Sequence, residues 1–233
     1  DGMISGLSRN YPDTIRPALQ IVGTEPGVKK IAGMYIMFTK RGPLFLADTT
    51  VNFNPTAEEL AEITLLVAKE VKQFNIKPRI AMLSYSNFGS SDSPEANLVS
   101  KAREIIKQKD PSLICDGEVQ GILAFNKEIL KENYPFTELL NGEVNILIFP
   151  NLSAGNIAYN LLQEVGGTDS IGPILLGLNK PVHVLQLGSS IRAIFNMVLI
   201  AVVDAQTKCK TNTKEVIKKS KWWKRKKNIA QEM

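Results

Sequence analysis

The stretch 145–193, NILIFPNLSAGNIAYNLLQEVGGTDSIGPILLGLNKPVHVLQLGSSIRA, restricts the fold more than any other part of the chain. Residues 145–149 form a short apolar run rich in Ile, the pattern of a strand buried on both faces. Pro150 ends it, because proline has no N–H to give to a ladder. Residues 151–155 read as a polar loop of small residues at the C-terminal edge of that strand, and ligands bind at this edge in open α/β sheets. Ile157, Leu161, Leu162 and Val165 then recur at helical spacing, and Gly166-Gly167 stops the helix. After this turn a short helix is expected, punctuated by Gly172-Pro173 and Lys180-Pro181, and residues 182–185 read as the next strand. Strands alternating with helices point to the α/β class.

The upstream chain reads the same way. Residues 1–6 look like a strand end entering a turn, before a helix over 13–22 with Asp13 as N-cap and Gly23 as stop. Residues 30–38 and 44–51 flank Lys40-Arg41-Gly42-Pro43 as a β-hairpin. Asp48 near its end has two readings, a side chain facing a cleft or a structural Asp in a strand-end turn. Thr56 and Glu59 write a capping box for a helix over 55–74, whose stripe Leu60, Ile63, Val67, Val71 and Phe74 is core. A strand over 79–85 runs into the loop SYSNFGSSDSP and then a helix over 95–109, the generic geometry of an anion site. Residues 116–120 read as another strand end, 125–141 as a helix broken by Pro135, and 190–205 as an apolar helix buried in the core or in part at an interface.

FPNLSAGNIAYNLLQEVGG followed by IGPILLGLNKPVHVLQLG resembles the phosphate acetyltransferase (phosphotransacetylase, phosphate acetyl/butyryltransferase) family. It is most like the version that forms the C-terminal domain of bacterial NADP-dependent malic enzymes. The likeness runs from Asp1 to Gln206 almost without a gap. It implies a three-layer αβα, two-domain fold in which the second domain is inserted into the first. Residues 28–178 would be that second domain, and residues 1–27 and 179–206 the remnant of an incomplete first domain. Two such short segments lack a sheet to pack on, so they should be mobile or expose an apolar patch. The opening Asp1 is read as the start of a piece of a longer polypeptide, with a malic-enzyme domain before it, or as a trimmed start.

The resemblance also implies a site. Arg16 matches an arginine that holds the phosphate of acetyl phosphate, since a guanidinium fork suits phosphate geometry. Without the likeness it is an ordinary surface Arg. Ser84, Ser86, Gly89 and Ser90 match the loop lining the acyl-phosphate and CoA cleft. Asn151, Gly155 and Asn156, at the edge of the strand described first, complete the expected phosphate/CoA contacts. In the family an aspartate takes the thiol proton of CoA and the thiolate attacks the acyl carbonyl, while a serine and arginines stabilise the developing charge. The loop before the last helix carries Ser-Arg-Gly, or Gln-Arg-Gly in the malic-enzyme branch, and then an Asp. This sequence has Gln186-Leu187-Gly188 and Ala193 there, and Ile122 where the family places another Asp. Losing one preorganised cation costs ~10²–10³ in rate. Losing a general base costs on the order of 10²–10⁴. No catalytic residue is therefore assigned. His183, in the apolar strand VHVLQ, reads as a hydrogen-bonded core histidine and not a substitute base.

Three functions stand open. The first is an acetyl-CoA-binding regulatory and oligomerisation module of a malic enzyme, with impaired catalysis. The second is an active phosphate acetyl- or butyryltransferase, and the third a degenerate remnant. CoA or acetyl-CoA, acetyl phosphate or phosphate are the expected ligands, with a homo-oligomer and no covalent cofactor. Two cysteines and one His make neither a disulfide framework nor a zinc site. With no signal peptide and no membrane span visible, the cytoplasm is the expected compartment. The net charge of +5 misleads: residues 207–233 hold ten Lys/Arg and two Glu, so the other 206 residues carry −3. That tail has three readings: a disordered solvated end, an arm for nucleic acid or an anionic surface, or read-through after a frameshift. The bland readings are preferred, so neither membrane nor nucleic acid is an expected partner.

Overall fold

The computed structural model describes residues 1–7, 11–186 and 188–209. The expected basic tail and Leu187 lie outside the described residues, apart from the first three positions of the tail. Short apolar runs set the strands β1 (Met3–Gly6), β2 (Ala32–Thr39), β3 (Gly42–Ala47), β4 (Arg79–Leu83), β5 (Ile114–Val119), β6 (Ile146–Ile148), β7 (Ser170–Leu176) and β8 (Val182–Leu185). The helices are α1 (Tyr11–Ile21), α2 (Ala57–Gln73), α3 (Pro94–Lys109), α4 (Gly121–Ala124), α5 (Lys127–Asn133), α6 (Leu152–Glu164) and α7 (191–209).

Six strands form one sheet in the order β5-β4-β6-β3-β2-β7, with β5, β4, β6 and β3 mutually parallel and β2 antiparallel to both its neighbours. The period of two along a strand sorts the side chains onto two faces. Ile80, Met82, Ile146 and Ile148 pack with Leu60, Ile63 and Val67 of α2 and Val99 and Ile106 of α3. Ala81 and Leu147 face the other way, with Leu130 of α5 and Tyr159 of α6. These are the three αβα layers. β1 and β8 make a separate parallel pair, covered by Ile15 and Ala18 of α1.

The capping box forms as written: Thr56 accepts the Glu59 N–H at 3.2 Å, and the Glu59 carboxylate accepts the Thr56 N–H at 3.0 Å. Thr56→Ala is expected to cost about 1 kcal/mol, a fall in melting temperature of roughly 2–4 °C by calorimetry.

Several expectations change. The predicted short helix is β7, whose Ile174, Leu175 and Leu176 are buried and whose backbone pairs with β2. Apolar spacing over so short a run fits either element, and tertiary pairing decides. The loop expected at 151–155 is the first turn of α6, because the Asn151 side chain accepts the Ala154 N–H at 2.9 Å and caps the helix. The stripe Ile157, Leu161, Leu162 and Val165 faces outward; α6 buries Gly155 and Tyr159 instead. α1 begins at Tyr11, which places Asp13 in its first turn and not at its cap.

The last helix, expected to be buried, buries Met197 and Ile200 but exposes Ile191, Phe195, Val198, Leu199 and Val202. The anticipated apolar patch is this face. Met197 and Ile200 join the main apolar core, and a buried polar cluster adds to the hold on α7. Asp204 lies 3.2 Å from Nε2 of His183 in β8, and both are buried. Glu70 of α2 is buried against the same carboxylate. Burial, then the neighbouring Asp204 charge, push the Glu70 carboxyl up to about 9. Burial opposes the charge on Asp204 too, but hydrogen bonds from His183 and Glu70 outweigh it and hold that carboxyl below its usual value. The pair therefore carries one proton, on Glu70. The folded state binds this proton at pH values where the unfolded chain has released it. Its contribution is thus complete below the unfolded pKa of Glu70 and fades as pH rises towards 9. Glu70→Gln, which keeps a donor without the titration, is expected to gain about 1–3 kcal/mol relative to the parent between pH 6 and pH 8. Urea midpoints for both chains that shift in parallel across that range would refute this.

Candidate binding cleft

At the C-terminal edge of the sheet, β4 delivers Ser84 and Tyr85, and β6 delivers Phe149, Pro150 and Asn151. With Pro55, Pro94, Leu98 and Gly121 they line a cavity of about 610 Å³. Two long helices start at its rim. Ser93 accepts the Ala96 N–H at 3.2 Å to cap α3, and Asn151 caps α6. Helix starts favour negative charge, which Glu95 already supplies at α3 and which the start of α6 leaves open, while the walls Leu83, Leu98 and Phe149 favour an apolar chain. The arrangement can take a long ligand with an anionic end.

The serine loop is bound inward more than outward. Its anchor is Glu118 at the end of β5, almost fully buried, which accepts from Ser86 Oγ at 2.9 Å and from the Gly89 N–H at 2.6 Å. Ser86 Oγ lies 3.1 Å from Ser90 Oγ and accepts the Ser91 N–H at 3.1 Å; Ser90 Oγ accepts the Asn87 N–H at 2.9 Å. Ser84 thus faces the cavity, Ser86 is buried beneath it, and Gly89 and Ser90 are exposed. Sequence reading passed over Glu118. A lone Glu among strand residues was the available signal, since a buried carboxylate requires donors.

The other expected residues fall elsewhere. Gly155 is buried where α6 crosses the end of β3. Asn156 donates to the Thr49 carbonyl at 3.2 Å. Asp48 takes the structural reading: its carboxylate accepts the N–H groups of Gly33, Thr50, Val51 and Asn52. Burial pushes its carboxyl up, and these bonds pull it back. Arg16 is exposed on α1 and does not line the cleft. Gln186, Gly188, Ser189, Ser190, Arg192 and Ala193 line a second, polar cavity of about 340 Å³, beside Tyr35 and Tyr159. There Ser190 Oγ accepts the Ala193 N–H at 3.1 Å, and Arg192 pairs with Asp169 at 3.0 Å. His183 is fully buried in β8, as a core histidine should be. Cys115 is buried, which pushes its thiol up to about 12, and Cys209 is exposed. Among the described residues no cluster of His, Cys, Asp and Glu could hold a metal ion, and no helix is long and apolar enough to cross a membrane.

Residues 1–202 match the family model described as phosphate acetyl/butaryl transferase. The chain is 45% identical over 206 residues to the NADP-dependent malic enzyme of Haemophilus influenzae, covering 88% of this chain and 27% of that protein. It is 42% identical over 205 residues to the phosphate acetyltransferase of Bacillus subtilis, covering 88% of this chain and 63% of that protein. A phosphotransacetylase structure from Streptococcus pyogenes superposes with a TM-score of 0.83 at 41% identity, over 90% of this chain and 63% of that one. The chain spans less than two thirds of the length of these relatives. It has the phosphotransacetylase fold and belongs to the phosphate acetyl/butaryl transferase family.

Proposed function

We propose that this member of the phosphate acetyl/butaryl transferase family is an acetyl-CoA-binding regulatory and oligomerisation module of a malic enzyme, weak in acyl transfer. One observation carries the reading: the residue in the first turn of the polar cavity's helix is Ala193, where a proton acceptor for the thiol would stand. The apolar cleft, a separate cavity, keeps two helix starts and apolar walls, which suit a phosphate-bearing chain such as CoA. Ser84 and Asn151 are the proposed direct contacts. Ser86, Gly89, Ser90, Gly155 and Asn156 are proposed to shape the cleft around the ligand from behind these contacts. Arg16 is proposed to meet phosphate across the gap between two domains, residues 28–178 on one side and residues 1–27 and 179–206 on the other. The exposed apolar face of α7 is where the remainder of the first domain, or a partner subunit, would pack. Action in the cytoplasm is part of the same proposal.

An active acyltransferase is the second reading, favoured by the exposed Arg16 guanidinium and the retained serine loop. Calorimetric titration of acetyl-CoA into the folded chain tests the first. Saturable binding at about micromolar levels, with little thioester formed from acetyl phosphate and CoA, is the expected result. A folded chain that does not bind acetyl-CoA overturns it; where binding is seen, regulation proper further requires coupling to a second site.

A further inference from the structure

The opposite edge of the sheet, where β3, β4 and β6 begin, holds a third cavity of about 660 Å³. Three of its lining residues are cationic, Lys40 and Arg41 on the hairpin turn and Arg79 at the start of β4. The one carboxylate among the lining residues, Glu143, is held at 2.5 Å by Lys127, which is not part of the lining, and its charge also offsets part of that of Arg41 and Arg79, leaving the lining cationic by two. Arg79 is placed by the backbone. Its stem passes over Gly142, whose φ of 141° suits glycine, and a Cβ at that position would lie 2.2 Å from Arg79 Nε. That Nε is buried and makes no hydrogen bond. Arg41 is steadied by the Phe125 ring, 5.6 Å from its guanidinium carbon, and donates to the Phe125 carbonyl at 3.5 Å.

Like charges gathered around a cavity repel one another, and a buried donor without an acceptor is costly. The repulsion is relieved by an anion with several acceptor oxygens, which the half-buried Arg79 guanidinium would help hold. We propose that this cavity is a second ligand site, taking a phosphate ester of nucleotide size whose phosphates sit between Arg79, Arg41 and Lys40. The guanidinium forks match phosphate oxygens, and Leu44 and Val144 offer an apolar wall to the ester's body. The site lies at the other end of the strands from the acetyl-CoA cleft, and its argument is independent of that reading.

Inorganic pyrophosphate is the probe, titrated into the full chain at low ionic strength and followed by calorimetry. Saturation below about 1 mM is expected, with binding at least tenfold weaker in Arg79→Gln and in Arg41→Ala. Arg79 is half-buried, so Arg41→Ala, on an exposed turn, keeps the test decisive if Arg79→Gln does not fold. Lys101→Ala, which removes an exposed cation on α3, should leave the affinity unchanged. No saturable binding of pyrophosphate overturns the proposal. So does an affinity unmoved in Arg41→Ala, or one that falls as far in Lys101→Ala, since the effect would then be net charge alone.

Discussion

Gly155→Val is expected to lower the melting temperature by roughly 6–12 °C, a loss of about 3 kcal/mol, while Gly121→Ala in the same cleft changes stability by less than about 0.5 kcal/mol. The contrast follows from what each added carbon meets. A Cβ at Gly155 would lie 2.2 Å from the Asp48 carbonyl oxygen and 3.3 Å from the Phe149 ring. The oxygen belongs to the backbone at the end of β3, so no rotamer change can move it aside. α6 would have to lift from the sheet, and with it Asn151, whose side chain caps that helix at the cleft. A Cβ at Gly121 meets nothing within 4 Å. Calorimetry on the two variants checks this, with acetyl-CoA titration alongside. If Gly155→Val melted like the parent but lost ligand, Gly155 would be a place where ligand approaches backbone, and its packing against β3 would be incidental.

This glycine also shows where reading residues in order stops. Its type and its place after a buried strand marked it as a ligand contact; that its Cα rests on the carbonyl of Asp48 depends on β3, which lies next to β6 in the sheet but about a hundred residues back in the chain. Short-range grammar was readable. Thr56 and Glu59 start a helix in any context where the following stripe is buried, and Lys40-Arg41-Gly42 turns a hairpin. The α/β class followed from apolar runs that alternate with helical stretches. Segments whose state is decided by partners were misread. Residues 170–176 become a strand because β2 is there to pair with, and the apolar side chains of α6 point away because small Gly155 and stacked Tyr159 set the closest approach to the sheet. Glu118 escaped notice for the same reason. Its function is to hold the Ser86 hydroxyl and the Gly89 N–H, and both lie about thirty residues earlier.

Ala193→Asp combined with Leu187→Arg is expected to raise acetyl-CoA formation from acetyl phosphate and CoA by ~10²–10³ over the parent chain. Ala193 sits in the first turn of α7, its N–H given to Ser190 Oγ, on the wall of the polar cavity. A carboxylate in that turn is favoured by the helix dipole and stays ionised at neutral pH, so it can accept a thiol proton. Arg192 beside it is engaged with Asp169 and leaves the new base free of a neutralising partner. The arginine answers a different need, the negative charge that grows on carbonyl and phosphate as the thiolate attacks. Base and cation serve one step, so their gains do not multiply, and each single substitution should recover less than the pair. The assay is thioester absorbance in the folded parent and in all three variants, with acetyl-CoA affinity measured beside it. Binding should be kept throughout, because Ala193 is not among the residues that line the apolar cleft below β4 and β6. A parent chain that already turns over at about 1 s⁻¹ or faster, near the ordinary range for enzymes, would sink the reading of weakened catalysis. The proton would then leave the thiol by another route, and the serine loop with Arg16 would become the place to look for it.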